Sequence, residues 1–448
     1  MRKLYIPSMA VLAFSYPFTT VLLLVIGVPV EGLGLFNYAI KGLITAVFGV
    51  ALLAAASQRR SIAAIVLPLF LLFGLFGIRL LYDVVGLDIV PPLASPSYIL
   101  LYFFGLTVLP VLSIAIAFDA DDMEALHKWL FWMLVLTNLA LFYYVAIQAQ
   151  DLATENALAY RFQVTGQDDA TSVLNPITIS LMGAVLLLFV IGRFAVFFRM
   201  TLFSQAVHLG IFAVGIANML LGGSRGPVVA FVFGLMFVAA SALKVNSRAI
   251  GQFRIRPRVW VYLGLMIVGG VAFALFSDLT IASFDRFRTM FDGSGSRIIE
   301  ERDYIAAAAW GDFKKSPIIG YSYITMNGTA LAHNVFLESF MALGIVGGLV
   351  YLFCLLIMLR GIWHGVTGRF GPYGYSVALA GAALIALSMT SGSIGQSPEI
   401  WAMVALIMSM AQSRATPRRT IYHRGGSFPL RSRSTEPRPA AISASLPR

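Results

Sequence analysis

Residues 202–243 read LFSQAVHLGIFAVGIANMLLGGSRGPVVAFVFGLMFVAASAL. Two apolar runs, each near the roughly 20 residues that a helix needs to cross a bilayer, meet at Gly222-Gly223-Ser224-Arg225-Gly226-Pro227. Neither run alternates apolar and polar residues as a barrel strand does. The pair therefore reads as a helical hairpin in a membrane. The turn is so short that Arg225 has to sit at the membrane surface. Pro227 suits the first turn of the following helix, where a missing N–H costs nothing.

The same pattern fills most of the chain on either side. Of 448 residues, 59% are hydrophobic and only 12% charged, with a mean hydropathy of +0.84. A soluble domain is about 45–50% apolar and about 25% charged. A soluble globular enzyme, a disordered chain and a disulfide-stapled secreted scaffold are thereby excluded. Apolar cores are expected at 8–28, 38–56, 61–81, 97–117, 130–149, 174–192, 201–221, 227–243, 259–276, 334–359, 375–391 and 398–412. The chain reads as all-α and polytopic, with about twelve transmembrane helices. The first stretch is expected to be a true span and not a cleaved signal. The single cysteine, Cys354, lies inside an apolar run, so no intramolecular disulfide can form.

Charge sets the orientation. With the N-terminus inside, the inner segments hold about 22 of the 32 lysines and arginines, as the positive-inside rule requires. Both termini are then cytoplasmic. The net charge of +11 follows from that distribution and does not call for nucleic acid. The transmembrane domain is expected over 1–412, with long loops on the outer side at about 150–174 and 277–333. Residues 413–448, rich in Arg, Ser and Pro, are expected to form a basic, disordered cytoplasmic tail. Within the second loop, 280–291 reads as an amphipathic interfacial helix and 292–296 as a break. A helix over about 297–315 follows, capped by Ser296 and closed by Pro317.

Few basic residues fall on the outer side, so each invites a reason. Arg225 sits among glycines that let a ligand approach closely, and charge near the translocated surface is costly unless used. The alternative is a headgroup anchor that snorkels. Arg297 opens the loop helix, where a cation opposes the helix dipole unless an anion is bound. The alternative is a surface arginine paired with Glu300 or Glu301. His333, in TALAHNVFLESF at 329–340, can act as a general base near neutral pH. Alternatively it merely precedes Asn334, the cap of the next span. Glu338, one turn on, can orient or charge-balance a site, or pair with an arginine. Arg161, in the other long loop, is a further candidate for binding. Several arginines suggest a pyrophosphate, since each guanidinium fork grips phosphate oxygens in pairs. A nearby histidine suggests proton removal from a hydroxyl. Outside the cytoplasm the natural phosphate-activated sugar donor is linked to a polyprenyl pyrophosphate. Asp119-Ala120-Asp121 is a D-x-D, but it lies on the cytoplasmic side at a helix start, where acidic residues are ordinary cap chemistry. No Walker, zinc or serine-elbow motif is present.

These motifs resemble the O-antigen ligase and Wzy-type polymerase superfamily. The matching residues are GGSRGP at 222–227, GSGSR…W…SPIIGYSY at 293–323 (Arg297, Trp310, Pro317, Gly320) and AHNVFLESFMALGIVGGLVYL at 332–352. The diagnostic part covers roughly residues 170–360. The resemblance implies a GT-C-type glycosyltransferase, working at the periplasmic face without metal or other cofactor. It implies transfer of a glycan from undecaprenyl pyrophosphate to a saccharide or lipid A–core acceptor. Arg225 and Arg297 would hold the donor pyrophosphate, with Arg161 as a less well-matched loop arginine, and His333 would activate the acceptor hydroxyl. The short interval from Arg297 to His333 leaves both polymerase and ligase open. The rival class is a transporter or flippase of lipid-linked glycans, which should carry polar residues deep in several spans and repeat symmetry. Only scattered candidates for such residues occur, such as Asn138, His208 and Asn218.

Overall fold

The computed structural model describes residues 2–28, 30–57, 66–91, 95–151, 164–165, 172–196, 201–222, 224–244, 264, 297–325 and 330–412. The chain is a helical, multi-pass membrane protein. In order, the helices are α1 (Arg2–Ala13), α2 (Ser15–Val25), α3 (Val30–Ser57), α4 (Leu67–Gly86), α5 (Pro96–Ala117), α6 (Met123–Asp151), α7 (Pro176–Val196), α8 (Leu202–Leu221), α9 (Arg225–Lys244), α10 (Arg297–Lys315), α11 (Val335–Val366), α12 (Gly371–Ser391) and α13 (Pro398–Gln412). A two-stranded antiparallel pair, Val164–Thr165 with Ser172–Leu174, lies between α6 and α7.

Among the described residues, eight helices are long and apolar enough to cross a membrane. The α1–α2 pair makes a ninth if it is one bent span, and its break falls just before Pro17, which cannot donate to the preceding turn. Two further expected spans correspond to shorter apolar helices, Arg225–Ser241 and Pro398–Ala411. The expected span 259–276, the amphipathic segment 280–291 and the tail 413–448 lie outside the described residues. The loop helix runs over Arg297–Lys315 as its sequence predicts, with both lysines in its last turn and Pro317 just beyond.

The centre of the bundle is α7 and α12, each with 78% of its apolar window buried inside the protein. The polar residues that an aqueous path would need are used for packing. Asn218 Nδ2 donates to Asn138 O (2.8 Å) and Oδ1 (2.9 Å), and Asn138 Nδ2 reaches Leu134 O and Met182 O, clasping α6, α7 and α8. His208 bonds to Ser204 O and Arg193 and stacks on Phe131. Asp119, first of the D-x-D pair, accepts from Asp121 N through its carboxylate and from Asp122 N through its carbonyl, which forms the turn leading into α6.

The feature that positions everything near the candidate residues is a break in α11. At Gly344 the backbone turns left-handed (φ 66°), so the helix ladder is interrupted between Met341 and Ile345. Unpaired carbonyls in a membrane cost several kcal/mol each. They are satisfied by the loop after α10. Tyr321 N donates to Met341 O (2.8 Å), and Ile345 N donates to Pro317 O (2.7 Å). Gly320 (φ 79°) turns the loop so tightly against Ala342 that no side chain fits there. The P-x-x-G spacing thus places one carbonyl and one N–H opposite the gap in the helix.

Arg79 on α4 closes this arrangement. Its Nε donates to Ala342 O (3.0 Å), Nη1 to Tyr321 O (3.1 Å) and Nη2 to Ile319 O (3.1 Å) and Gly320 O (2.6 Å). It also pairs with the fully buried carboxylate of Asp83 at 3.3 Å. The other Asp83 oxygen accepts from Tyr323 N (2.9 Å), and Tyr323 donates its hydroxyl to Ile89 O (3.0 Å). Burial, with the Asp83 carboxylate behind it, pushes the Tyr323 hydroxyl above its usual range, so it remains a donor. Replacing Arg79 by methionine strands the Asp83 charge and should cost about 3–5 kcal/mol. Thermal unfolding in detergent should show a large loss for Arg79→Met and partial recovery in the Arg79→Met/Asp83→Asn double variant. Equal melting of Arg79→Met and wild type would remove this role.

Candidate functional site

Arg225 opens α9, Arg297 opens α10 and His333 stands just before α11. His333 precedes α11 on a left-handed residue (φ 51°) and is exposed. Asn334 caps α11, its Oδ1 accepting from Leu337 N (3.1 Å). Ala332, just before His333, is buried against α10: Ala309, Ala332 and Met341 form a small core with Leu337 beside it. Phe313 adds an edge-on contact to Phe340 (5.6 Å), and Trp310 lies against Phe313 (4.9 Å). The far end of α10 is pinned by Lys315, which bonds to Asp312 (2.8 Å) and lies over the Tyr321 ring. The Asp312 bond holds the Lys315 ammonium above its usual range.

Glu338 is fully buried one turn into α11. Its Oε1 accepts from Ser393 Oγ (3.0 Å) and its Oε2 from Ile394 N (2.7 Å). Both oxygens are committed to the turn between α12 and α13. Trp401 Nε1 donates to Ser393 O (3.2 Å), and Ser393 N to Ser397 Oγ (3.0 Å), fixing that turn from the other side. A Cβ on Gly392 would stand 3.0 Å from Val335, so the turn lies directly against the start of α11.

Arg225 is the first residue of α9 and is half-buried. The hairpin before it is held to α7: Ser180 Oγ donates to Met219 O (3.0 Å) and accepts from Ser224 N (3.2 Å). Beside it, a Cβ on Gly226 would lie 2.8 Å from Thr390 Oγ1 at the end of α12. Arg302, on α10, reaches the same residue, with Nη1 donating to Thr390 O (3.3 Å). The turn from Thr390 to Ile394 is therefore a hub. Arg302 and the Arg225 hairpin meet it at Thr390, and the first turn of α11 meets it through Val335 at Gly392 and Glu338 at Ser393 and Ile394.

Arg297 is the first residue of α10, five positions before Arg302 and about 7.5 Å along the axis. Arg161 lies outside the described residues. Arg302 and Arg79 went unnoticed in the sequence. Nothing local marks Arg302; only the docking of α10 gives it a place. Arg79 had a signal, because an arginine within an apolar run with an aspartate four residues on is a buried pair by default. Among the described residues no group of three or more His, Cys, Asp and Glu side chains is arranged to hold a metal ion.

Residues 210–352 match the family model Wzy_C, described as O-antigen ligase. The matched stretch begins within α8 and ends within α11, and it contains Arg225, Arg297, Arg302, His333, Glu338 and the P-x-x-G loop. The match supports placing the chain in the O-antigen ligase and Wzy superfamily. No curated protein matches the chain.

The Glu338 clasp can be tested by itself. Glu338→Ala leaves the Ser393 hydroxyl and the Ile394 N–H without their acceptor and should cost about 1–3 kcal/mol. Glu338→Gln retains one acceptor oxygen and should cost less. Thermal unfolding of the three proteins checks the order; identical melting of the alanine and glutamine variants would contradict it.

Proposed function

We propose that this chain is a GT-C-type glycosyltransferase of the inner membrane. It moves a glycan from undecaprenyl pyrophosphate to a saccharide acceptor at the periplasmic face, as an O-antigen ligase or a repeat-unit polymerase. The observation that carries the reading is the convergence of the Arg225 hairpin and Arg302 on Thr390, beside the helix start that bears His333. In a bilayer the chain would cross about twelve times, with both termini and the 413–448 tail in the cytoplasm.

In this mechanism the donor pyrophosphate lies against the Arg225 and Arg302 guanidiniums, with Arg297 one and a half turns away and Arg161 as a further loop contact. His333 Nε2 or Nδ1 takes the proton of the acceptor hydroxyl. The acceptor oxygen bonds to the anomeric carbon, and the bond from that carbon to the pyrophosphate oxygen breaks. The electron pair leaves on the pyrophosphate, where the arginines stabilise the charge as it develops. One displacement inverts the anomeric carbon. The reaction requires no metal, so chelation should leave it unchanged. Glu338 acts as a positioning residue, fixing the start of α11 against the hub. The transporter reading gains no support, since Asn138, Asn218 and His208 are all bonded within the fold.

The test uses purified protein in liposomes, supplied with the host's undecaprenyl-pyrophosphate-linked repeat unit, with and without its lipid A–core. A ladder on the donor alone marks a polymerase, and product only with the core marks a ligase. His333→Ala should lose about 10²–10⁴-fold in rate. Arg225→Lys and Arg302→Lys should each lose on the order of 10²-fold, because a point charge does not replace a fork. Full activity in His333→Ala at every pH would remove the base, and full activity in Arg225→Lys would remove the bidentate grip.

A further inference from the structure

Trp310 belongs to the motif that resembles the family, and the transfer mechanism gives it no part. It is 44% exposed on α10. That helix also exposes Arg302, Asp303, Lys314 and Lys315, too much charge for the interior of a bilayer, so its outer face meets water. The ring is not isolated. Trp310 lies against Phe313 (4.9 Å between centroids), Phe313 meets Phe340 edge-on (5.6 Å), and Phe340 meets Phe336 (5.0 Å). The three phenylalanines are half-buried, so each keeps some surface open. A single exposed apolar side chain needs no explanation, whereas rings in continuous contact form a patch, and a patch marks a binding surface.

The row is fixed before any ligand arrives. Phe313 docks α10 on α11, and a Cβ on Gly348 would collide with the Phe340 ring, which therefore bridges the break at Gly344. The far end of the row reaches the first turn of α11. Phe336 stands three residues after His333, which limits the separation of their Cα atoms to about 10 Å. At the near end, Asp303 and Lys314 are exposed seven residues before and four after Trp310, on its side of the helix.

This combination suits a saccharide. A pyranose ring carries hydroxyls at its rim and a patch of C–H bonds on its face. Those C–H bonds are weakly positive and the face of an aromatic ring is negative, so the two stack. Charged side chains beside the ring bond to the hydroxyls. A hydrocarbon chain would gain nothing from Asp303 and Lys314.

We propose that Trp310, backed by Phe313, Phe340 and Phe336, is the stacking platform for the acceptor saccharide and leads its hydroxyl to His333. The identity of that saccharide rests on the glycosyl-transfer reading, in which His333 takes the acceptor's proton. Ligase and polymerase both fit, since a core saccharide and a repeat unit stack in the same way.

The experiment is saturation-transfer NMR of lipid-free saccharides on the full chain in detergent. The probes are the host's repeat unit and its core saccharide, each released from its lipid. Without a pyrophosphate neither can serve as donor. Trp310→Leu keeps an apolar side chain against Phe313 but removes the ring face, and Trp310→Tyr keeps a ring. At least one saccharide should bind the wild type, and Trp310→Leu should weaken that binding about tenfold, Trp310→Tyr much less. Trp132→Leu, at a tryptophan 57% exposed on α6, should bind as the wild type does. Equal affinity in Trp310→Leu and wild type, or no binding of either saccharide, would overturn the platform. A lipid-linked repeat unit blocked at its terminal sugar can act only as donor. Added at saturation it should leave the saccharide bound; displacement would overturn the acceptor assignment. Binding requires no turnover. Ring-dependent binding in a protein that transfers no glycan would keep the platform and sink the catalytic reading. Transfer with an unchanged acceptor KM in Trp310→Leu would do the reverse.

Discussion

A helix that breaks inside a membrane has to find partners for the groups it frees, because neither water nor lipid supplies them. In this protein that demand falls on α11: the loop after α10 meets it at Met341 and Ile345, and Arg79 meets it at Ala342 and holds the loop in place. One guanidinium from α4 bonds to the broken helix at Ala342 and to three successive carbonyls of the loop at Ile319, Gly320 and Tyr321. Asp83 balances the charge and takes the next backbone N–H, that of Tyr323. The loop after α10 could not lie in the break without this arrangement. With it, the first two turns of α11 are fixed relative to α4 and α10 before any substrate arrives.

The candidate site is assembled by docking, not by proximity along the chain. Arg225 comes from a hairpin anchored on α7, Arg302 from a helix packed on α11, and His333 from the turn that leads into α11. The Arg225 hairpin and Arg302 both meet Thr390, at the start of a turn whose Ser393 and Ile394 are bonded by Glu338 and whose Ser393 is bonded by Trp401. Preorganisation of this kind is what electrostatic catalysis needs, since donors fixed in advance do not have to reorganise as charge develops.

The sequence was most informative where a local rule acts alone. Hydropathy and length place the membrane helices, and cap and dipole chemistry places the loop helix at Arg297–Lys315 and the start of α11 behind Asn334. The hairpin at Arg225 and the exposed His333 were readable for the same reason. What escaped the sequence depends on contacts between distant segments. Glu338 reads in the sequence as a group that orients or charge-balances a site or pairs with an arginine, and nothing local marks the turn, more than fifty residues on, from which both its oxygens accept. Arg302 is one of several charges on α10, and only the packing of Phe313 and Ala309 on α11 turns it towards Thr390. The break at Gly344 is invisible to any pattern of period 3.6, because the flanking residues remain apolar and the partners that fill it lie some twenty residues upstream and on α4.

The Glu338 clasp and the Arg79 bonds have one more consequence, for modularity. The stretch that matches the family ends at residue 352, yet its structure is closed from both outside directions. Arg79 reaches in from before it, and Ser393, Ile394 and Thr390 reach in from after it. The matched stretch is therefore not a separable cassette. Grafting it between relatives to exchange specificity would carry the arginines and the histidine across but leave their supports behind. A chimaera that keeps its geometry has to move α4 and the α12–α13 turn along with it, so the natural unit of exchange is set by hydrogen bonds and not by the borders of sequence similarity.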